Sequence, residues 1–245
     1  GMSVLLDVLA YNTHYLGFNA NMLANEMFLD SASLRSSIVS HSKTLGYVPS
    51  SARAAKATVD VTLNTNDSTA TMPAGTVFNT TVDDVSFQFS TIQSFTKSNT
   101  GNSIPFVGVD IFEGTFITTR YTVDTSDIDQ RFLLTDNRAD TSTLIVKVQT
   151  SSTDSSSNTF TEATDITQVT AGSNVFFLQE VEAGLFEVYF GDGVIGTALS
   201  DDNIVILTYV VSNKSAANGA SLFTNVATIA SVTDISVATA ATASA

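Results

Sequence analysis

Residues 58–63 read TVDVTL, and the alternation of apolar and polar residues in this stretch predicts a half-buried β-strand. Val59 and the two apolar residues that follow it would face the core, while Asp60 and Thr62 would face solvent. Before this stretch the apolar residues recur every three or four positions, and after it they recur every two. The chain therefore divides near residue 57 into a helical part and a β part.

Toward the C terminus, eight further runs share the period of two. They are Val85–Phe89, Phe106–Phe112, Thr115–Thr122, Leu144–Gln149, Val175–Val181, Leu185–Phe190, Ile204–Val211 and Phe223–Ile229. Polar turn-forming clusters separate these runs, and no helical pattern lies between them. The predicted fold class is α+β, mainly β, in which an N-terminal helical hairpin or arm precedes antiparallel, sandwich-like β regions.

The same pattern predicts a division of the chain into domains. Residues 1–57 would form a helical assembly region, and residues 58–98 together with 173–235 would form the main antiparallel β domain. Residues 99–172 could be an inserted β subdomain, in which the segment TSSTDSSSNT (150–159) is expected to be an exposed hairpin loop. Residues 236–245, SVATAATASA, are expected to be a flexible tail or a truncated linker.

The helical part predicts two helices. The first begins near Ser3, which can act as its N-cap, and continues for about 26 residues. The second runs from about Ser33 to Leu45, with Ser31 or Ser33 as its cap and Gly46 as its stop signal.

The first predicted helix has an unusual surface, because no formally charged residue lies between Asp7 and Glu26. A solvated helix usually presents Glu and Lys opposite its apolar face, whereas the other face here is rich in amides. We therefore expect this helix to pack against partner helices, although packing against its own domain is an open alternative. The candidate assembly residues are Leu5, Leu9, Tyr15, Leu16, Met22 and Leu23. Membrane insertion is not expected, since Asn12, Asn19 and other polar residues in the middle of the helix would need partners in hydrocarbon.

Composition excludes several classes of protein. The 245 residues carry a formal net charge of −14, and the negative charge lies in residues 57–245, where six bases against 21 acids give −15, while residues 1–56 carry +1. Nucleic-acid binding through a basic surface is therefore not expected. The absence of cysteine removes disulfides, thiol nucleophiles and zinc–cysteine sites, and only His14 and His41 remain as possible imidazole ligands. We expect neither a metal site nor a cofactor.

The sequence contains no combination of residues that favours catalysis. The pairs Asp83-Asp84 and Asp201-Asp202 are typical of solvated turns, because adjacent residues of a strand point to opposite faces. The cluster of Asp124, Asp127 and Asp129 could bind a cation weakly. Gly191-Asp192-Gly193 is expected to form a tight hairpin turn rather than a ligand-binding loop. A non-enzymatic protein is therefore the leading hypothesis, with a glycan-cleaving tail enzyme as a remote alternative that rests on the acid pairs.

Several segments resemble a known family in the same order along the chain. They are LLDVLAYNTHYLGFNANMLANEMFLDSA (5–32), LRSSIVSHSKTLGYVPSSARAAKA (34–57), PAGTVF (73–78), FLQEVEAGLFEVYFGDGVIGTAL (177–199) and IVILTYVVSNKSAANGAS (204–221). Together they resemble the baseplate wedge subunits of contractile-tailed, T-even-type phages, which are related to the baseplate J-like family. Residues 99–172 match only loosely, through EGTFITTRYTVD (113–124) and QRF (130–132). Because family members are usually much longer, both a truncated piece and a naturally short relative fit.

The resemblance implies a structural role in a phage tail baseplate, within the virion, after assembly in the host cytoplasm. It implies a homodimer whose N-terminal helices join a bundle with other baseplate wedge proteins, while the β domains help to build the ring around the tail hub. The alternative that we keep open is a receptor- or glycan-binding β module of a phage tail, which the Ser-, Thr- and Asn-rich loops would favour.

Overall fold

The computed structural model describes residues 1–47, 49–127 and 129–245. The chain separates into two compact units. The helical unit contains residues 1–50 and 179–184, and the β unit contains residues 51–178 and 185–245.

Two helices make up most of the helical unit. Helix α1 spans Met2–Glu26 and helix α2 spans Arg35–Thr44, which confirms both predicted helices. The predicted caps are wrong. Gly1 and Leu34 occupy the two N-cap positions, and neither makes a side-chain capping hydrogen bond.

The remaining regular structure is a series of strands, with three short 3-10 turns at Ile166–Gln168, Glu182–Gly184 and Lys214–Ala217. The strands are β1 (Lys56–Asn64), β2 (Thr69–Met72), β3 (Val77–Val82), β4 (Val85–Thr91), β5 (Phe95–Ser98), β6 (Ser103–Glu113), β7 (Thr115–Thr122), β8 (Phe132–Leu133), β9 (Ala139–Gln149), β10 (Ser157–Glu162), β11 (Val175–Glu180), β12 (Phe186–Phe190), β13 (Ile204–Val211), β14 (Thr224–Asn225) and β15 (Ile235–Ser244).

These strands form three sheets. The first has the order β14-β3-β4-β6-β1-β15, the second has the order β7-β13-β9-β10-β11-β12-β8, and β2 pairs with β5 in a small third sheet. Most described pairs are antiparallel, while β10 and β11 run parallel. One buried cluster lies against the first and third sheets, and another lies against the second. The predicted class, α+β and mainly β, is confirmed.

The sheets do not follow the predicted domain boundaries. Residues 115–211 form the whole seven-stranded sheet, and they lie between the two segments that form the six-stranded sheet. The division into 58–98 with 173–235 and an inserted 99–172 is therefore wrong, because β6 belongs to the first sheet and β11–β13 belong to the second. Strand β15 pairs antiparallel with β1, for example at Val61 and Val237, and forms one edge of the first sheet.

The structure also differs from three local predictions. Residues 236–245 are not a flexible tail, since residues 236–244 lie in β15, which pairs along β1. Of the predicted strand 223–229, Thr224–Asn225 pairs with β3, and Ile229 forms an isolated bridge with Val232. The loop predicted at 150–159 joins β9 to β10 as a hairpin, although its last three residues belong to β10.

The chain passes between the first and second sheets twice, and the two crossing points lie side by side. It leaves the first sheet at Glu113–Gly114 and returns after β13 at Ser212–Asn213. The carboxylate of Glu113 is buried, and its two oxygens accept hydrogen bonds from the backbone N–H and the Nδ2 of Asn213, both at 2.8 Å. The N–H of Gly114 donates to the carbonyl of Gln88 at 2.8 Å. We call this arrangement the crossing clamp.

Gly114 allows the two crossings to approach each other. Its φ of +124° is reached easily only by glycine, and a Cβ at this position would collide with the carbonyl oxygen of Val211. We expect Gly114→Ala to lower the free energy of unfolding by about 3 kcal/mol or more, as measured by urea denaturation of the full chain.

Gly172→Ala is the matched control for this measurement. A Cβ at position 172 would meet nothing within 4 Å, and its φ lies outside the left-handed range. We expect a change of less than about 0.5 kcal/mol there. Equal effects of the two substitutions would show that the close approach at Gly114 does not limit stability.

Candidate assembly interface

Helix α1 has no buried residue along its 25 positions. All six predicted assembly residues are exposed: Leu5 by 71%, Leu9 by 65%, Tyr15 by 54%, Leu16 by 68%, Met22 by 46% and Leu23 by 68%. Contiguous exposed apolar surface of this kind is typical of sites that bind proteins or membranes.

The apolar residues of α1 lie along two seams, each with alternating spacings of three and four residues. The leucine seam is Met2, Leu5, Leu9, Asn12, Leu16, Asn19 and Leu23, and the aromatic seam is Val4, Val8, Tyr11, Tyr15, Phe18 and Met22. With about 100° of rotation per residue, the centres of the seams are about 100° apart around the helix axis. This spacing is the pattern of helices that pack in bundles and coiled coils.

The predicted interface combines residues from both seams. Four of its members belong to the leucine seam, and Tyr15 and Met22 belong to the aromatic seam. It omitted the exposed Tyr11 and Phe18, although the same seven-residue repeat in the sequence identifies them. The rings of Tyr11 and Tyr15 lie 5.9 Å apart, as neighbours on one face.

Glu26 holds the corner between α1 and α2. Its Oε1 accepts hydrogen bonds from the backbone N–H of Ser33 at 2.9 Å and from the Ser33 hydroxyl at 2.7 Å, while its Oε2 accepts from the N–H of Leu34 at 3.2 Å. His41 Nε2 lies 3.0 Å from the carbonyl oxygen of Glu26. The Glu26 carboxylate thus fixes the two residues that lead into α2, Ser33 and the N-cap residue Leu34, although no side chain caps the first turn of the helix.

The hydrogen bonds from Ser33, first from its N–H and then from its hydroxyl, lower the pKa of Glu26 from 4.5 to about 2. Because the folded-state pKa is depressed, the contribution of Glu26 to the corner is present above about pH 4.5 and is lost as the pH falls through 2. We expect a carboxyl-carbon NMR titration to give Glu26 a midpoint near pH 2. Protection of the Ser33 and Leu34 amides from hydrogen exchange should fall over the same range.

Two variants check this assignment. Glu26→Gln should reduce the protection of the Ser33 and Leu34 amides at pH 7 and remove its dependence on the Glu26 titration. Asp30→Asn changes another exposed acid of the same connection and should leave both amides protected. A midpoint near pH 4.5 for Glu26 would contradict the hydrogen bonding described.

Within the helical unit, α2 is also held by an ion pair at its first residue. The guanidinium of Arg35 contacts the Glu180 carboxylate through two hydrogen bonds, from Nε at 2.9 Å and from Nη2 at 2.8 Å. The Glu180 side chain is 2% exposed and that of Arg35 is 64% exposed. Hydrogen bonding to Glu180 raises the pKa of Arg35.

We expect Arg35→Ala to destabilise the helical unit by about 1–3 kcal/mol, a range that allows for solvent screening of the exposed guanidinium. The physical reason is that the buried Glu180 carboxylate would lose both hydrogen bonds. Hydrogen exchange of the α2 amides measures the effect, and Lys43→Ala, which removes an exposed base from the same helix, is the control. Equal losses of protection in the two variants would assign no stabilisation to the ion pair.

The acid pairs lie in turns, as predicted. Asp83 and Asp84 have φ values of 50° and 64° at the tip of the β3–β4 hairpin, and Asp202 has a φ of 63° in the turn before β13. Asp201 Oδ1 accepts hydrogen bonds from the N–H and hydroxyl of Thr125. These contacts hold loops together and do not place two carboxylates across a cleft.

In the acidic cluster considered for weak cation binding, carboxylate oxygens accept hydrogen bonds from nearby residues. Asp124 Oδ1 accepts from the N–H and the hydroxyl of Ser126, and Asp127 Oδ1 accepts from the N–H of Asp129. The Ser126 contacts lower the pKa of Asp124. Among residues 1–47, 49–127 and 129–245, no group of three or more His, Asp or Glu side chains is arranged to hold a metal ion.

The segment 191–193 forms a turn, but not the predicted hairpin. Asp192 Oδ1 accepts hydrogen bonds from the N–H groups of Val194 and Ile195, which lowers the pKa of Asp192. No strand follows directly, and Gly191 pairs with Ala198 in an isolated bridge. A Cβ on Gly191 would collide with the Ile195 carbonyl oxygen, so the glycine is needed for a close approach of two backbone segments.

Across the part of the chain that the structure describes, no helix has both the length and the hydropathy needed to span a membrane.

The helical segment matches a known family of domains. Residues 1–47, which contain α1 and α2, match the family of baseplate wedge protein gp6-like helical domains. The match covers both apolar seams and the Glu26 corner.

One relative extends the similarity across both units. The chain is 26% identical over 258 aligned positions to baseplate wedge protein gp6 of Enterobacteria phage T4, and the alignment covers 96% of this chain. The chain spans 38% of the length of that relative. The resemblance to baseplate wedge subunits, stated above from the sequence motifs, is confirmed by both comparisons.

Proposed function

We propose that this chain is a structural, non-enzymatic component of a phage tail baseplate wedge, and that α1 assembles it with neighbouring subunits in the virion. One observation carries the proposal. A 25-residue helix without a buried residue lies within the segment that matches the wedge helical domain. Isolated helices are marginally stable in water and gain most of their stability from packing.

The two seams support assembly in a bundle rather than in a single helix pair. Because the seams are about 100° apart, one partner helix can cover the leucine seam while a second covers the aromatic seam. Asp7, His14 and Asn21 lie opposite the leucine seam and would remain in contact with water. The partners would be a second copy of this chain and other baseplate wedge proteins.

The buried area would be large enough for stable assembly. Six large apolar side chains, at about 1.5–3 kcal/mol each, would contribute roughly 9–18 kcal/mol before the costs of association. The β unit would form the acidic body of the subunit within the baseplate, after assembly in the host cytoplasm. No contact in the described residues favours the alternative of a receptor- or glycan-binding module over this role.

Substitution of the leucine seam tests the proposal. We expect Leu9→Asp with Leu16→Asp to abolish association of the full chain with itself and with co-expressed wedge proteins, because two carboxylates would have to be buried between helices. Light scattering coupled to size-exclusion chromatography measures the mass of the complex, with an expected fall to the monomer value.

Leu222→Asp is the matched control, since Leu222 is 82% exposed in the β unit and undergoes the same chemical change. It should leave the mass of the complex unchanged. A chain that is monomeric with and without the α1 substitutions, and that binds no wedge protein, would overturn the proposed function.

A further inference from the structure

Two asparagines interrupt the leucine seam of α1 at equivalent positions. Asn12 and Asn19 are seven residues apart, and each takes a place in the three-and-four spacing that leucine or methionine occupies elsewhere in the seam. Both are exposed in the chain alone. Asparagine is a poor residue for a helix interior, since its side chain competes for backbone hydrogen bonds. Two of them in one apolar seam therefore require a physical reason.

Charge cannot fix the alignment of a partner on this seam. Helix α1 contains no Lys or Arg, and its acids are Asp7, on the opposite side of the helix, and Glu26, whose carboxylate binds the start of α2. The salt bridges that set register and orientation in many helix pairs are thus unavailable. Leucine contacts alone permit several alignments, because shifting the seam by seven residues again places leucine beside leucine.

We infer that Asn12 and Asn19 fix a parallel, in-register pairing of the leucine seam with the same seam of a second copy of this chain. The inference rests on the proposed function and adds to it the residues that determine alignment. A carboxamide carries both a donor and an acceptor, so it is complementary to an identical carboxamide. In register, each asparagine meets its own counterpart and both amides are satisfied.

Other alignments leave amides without partners. A shift of seven residues pairs one Asn12 with one Asn19, but it places the second Asn12 beside Leu5, which has no polar side-chain atom. The second Asn19 then lies beside Glu26, whose carboxylate already accepts hydrogen bonds from Ser33 and Leu34 and has no N–H to donate to the amide oxygen. An antiparallel arrangement places the asparagines beside leucines. A buried amide without a partner is costly, so these alignments are disfavoured. Asp7 also favours a second copy on this seam, because like charges on the far sides of the two helices stay apart.

Cysteine cross-linking measures the alignment directly, because the chain contains no cysteine of its own. Leu16→Cys alone reports in-register pairing, as a disulfide-linked dimer formed in a glutathione redox buffer. A mixture of Leu9→Cys chains and tagged Leu16→Cys chains reports a one-heptad shift, as a disulfide between chains of different size. We expect the in-register disulfide of the full-length chain to exceed the shifted one at least ten-fold.

Replacing both asparagines tests their role. Asn12→Leu with Asn19→Leu should bring the shifted disulfide to within about two-fold of the in-register one, and light scattering should detect species larger than the dimer. Asn21→Leu with Asn25→Leu makes the same chemical change on the polar side of α1 and should keep the ten-fold preference. Both changes raise helix propensity, so loss of the helix does not explain a changed ratio.

The outcomes separate this inference from the proposed function. A dimer whose disulfide ratio is the same with and without Asn12 and Asn19 overturns the inference and leaves assembly through α1 intact. Absence of any self-association, with wedge proteins still bound, overturns the inference and removes the second copy from the proposed partners. Absence of both kinds of association overturns the proposed function as well.

Discussion

The architecture of the β unit depends on the crossing clamp between Glu113 and Asn213. A seven-stranded sheet lies within the chain between two segments that must still pair with each other, as β1 does with β15. That topology requires the outgoing and returning crossings to meet at one place. The buried Glu113 carboxylate satisfies two donors of Asn213 there, and Gly114 removes the side chain that would hold the crossings apart. Burying a carboxylate is acceptable because each oxygen accepts a hydrogen bond.

The two units distribute charge and apolar surface in opposite ways, and this difference has functional consequences. The β region, residues 57–245, carries a net charge of −15 from six bases and 21 acids, and it buries most of its large apolar residues in two clusters. Helix α1 exposes its apolar residues and carries almost no charge. The acidic region opposes nonspecific association through like-charge repulsion, whereas α1 offers no charge to repel a partner. This distribution of charge supports the proposal that association takes place through α1.

Sequence periodicity predicted the elements whose side chains alternate clearly. Strands β7 and β13 were predicted at their observed bounds, and both helices were predicted within a few residues. Strands such as β10 and β15 were missed because they consist mainly of Ser, Thr and Ala, which leave little hydrophobic alternation to detect. The nesting of one sheet within another was missed for a different reason. Periodicity is a local property, whereas β1 and β15 pair across most of the chain. In the candidate site, the apolar helix was predictable from composition, but the hydrogen bonds of Glu26 with Ser33 and Leu34 were not, since they depend on how the chain turns after α1.

In the proposed assembly, the Glu26 corner would reduce the cost of binding partners through α1. Ordering a flexible segment during association opposes binding, and a helix already joined to a fixed turn avoids much of that cost. Glu26 binds the N–H groups of Ser33 and Leu34, just before α2, through its carboxylate, and His41 of α2 contacts its carbonyl oxygen, so both helices meet at one residue. Arg35 then holds the start of α2 to the buried Glu180 carboxylate within the same unit. The polar contacts thus define the direction of α1 before a partner arrives. Its apolar seams can then contribute their burial mainly to association, and the asparagines within the leucine seam need only select among alignments of a helix that is already formed.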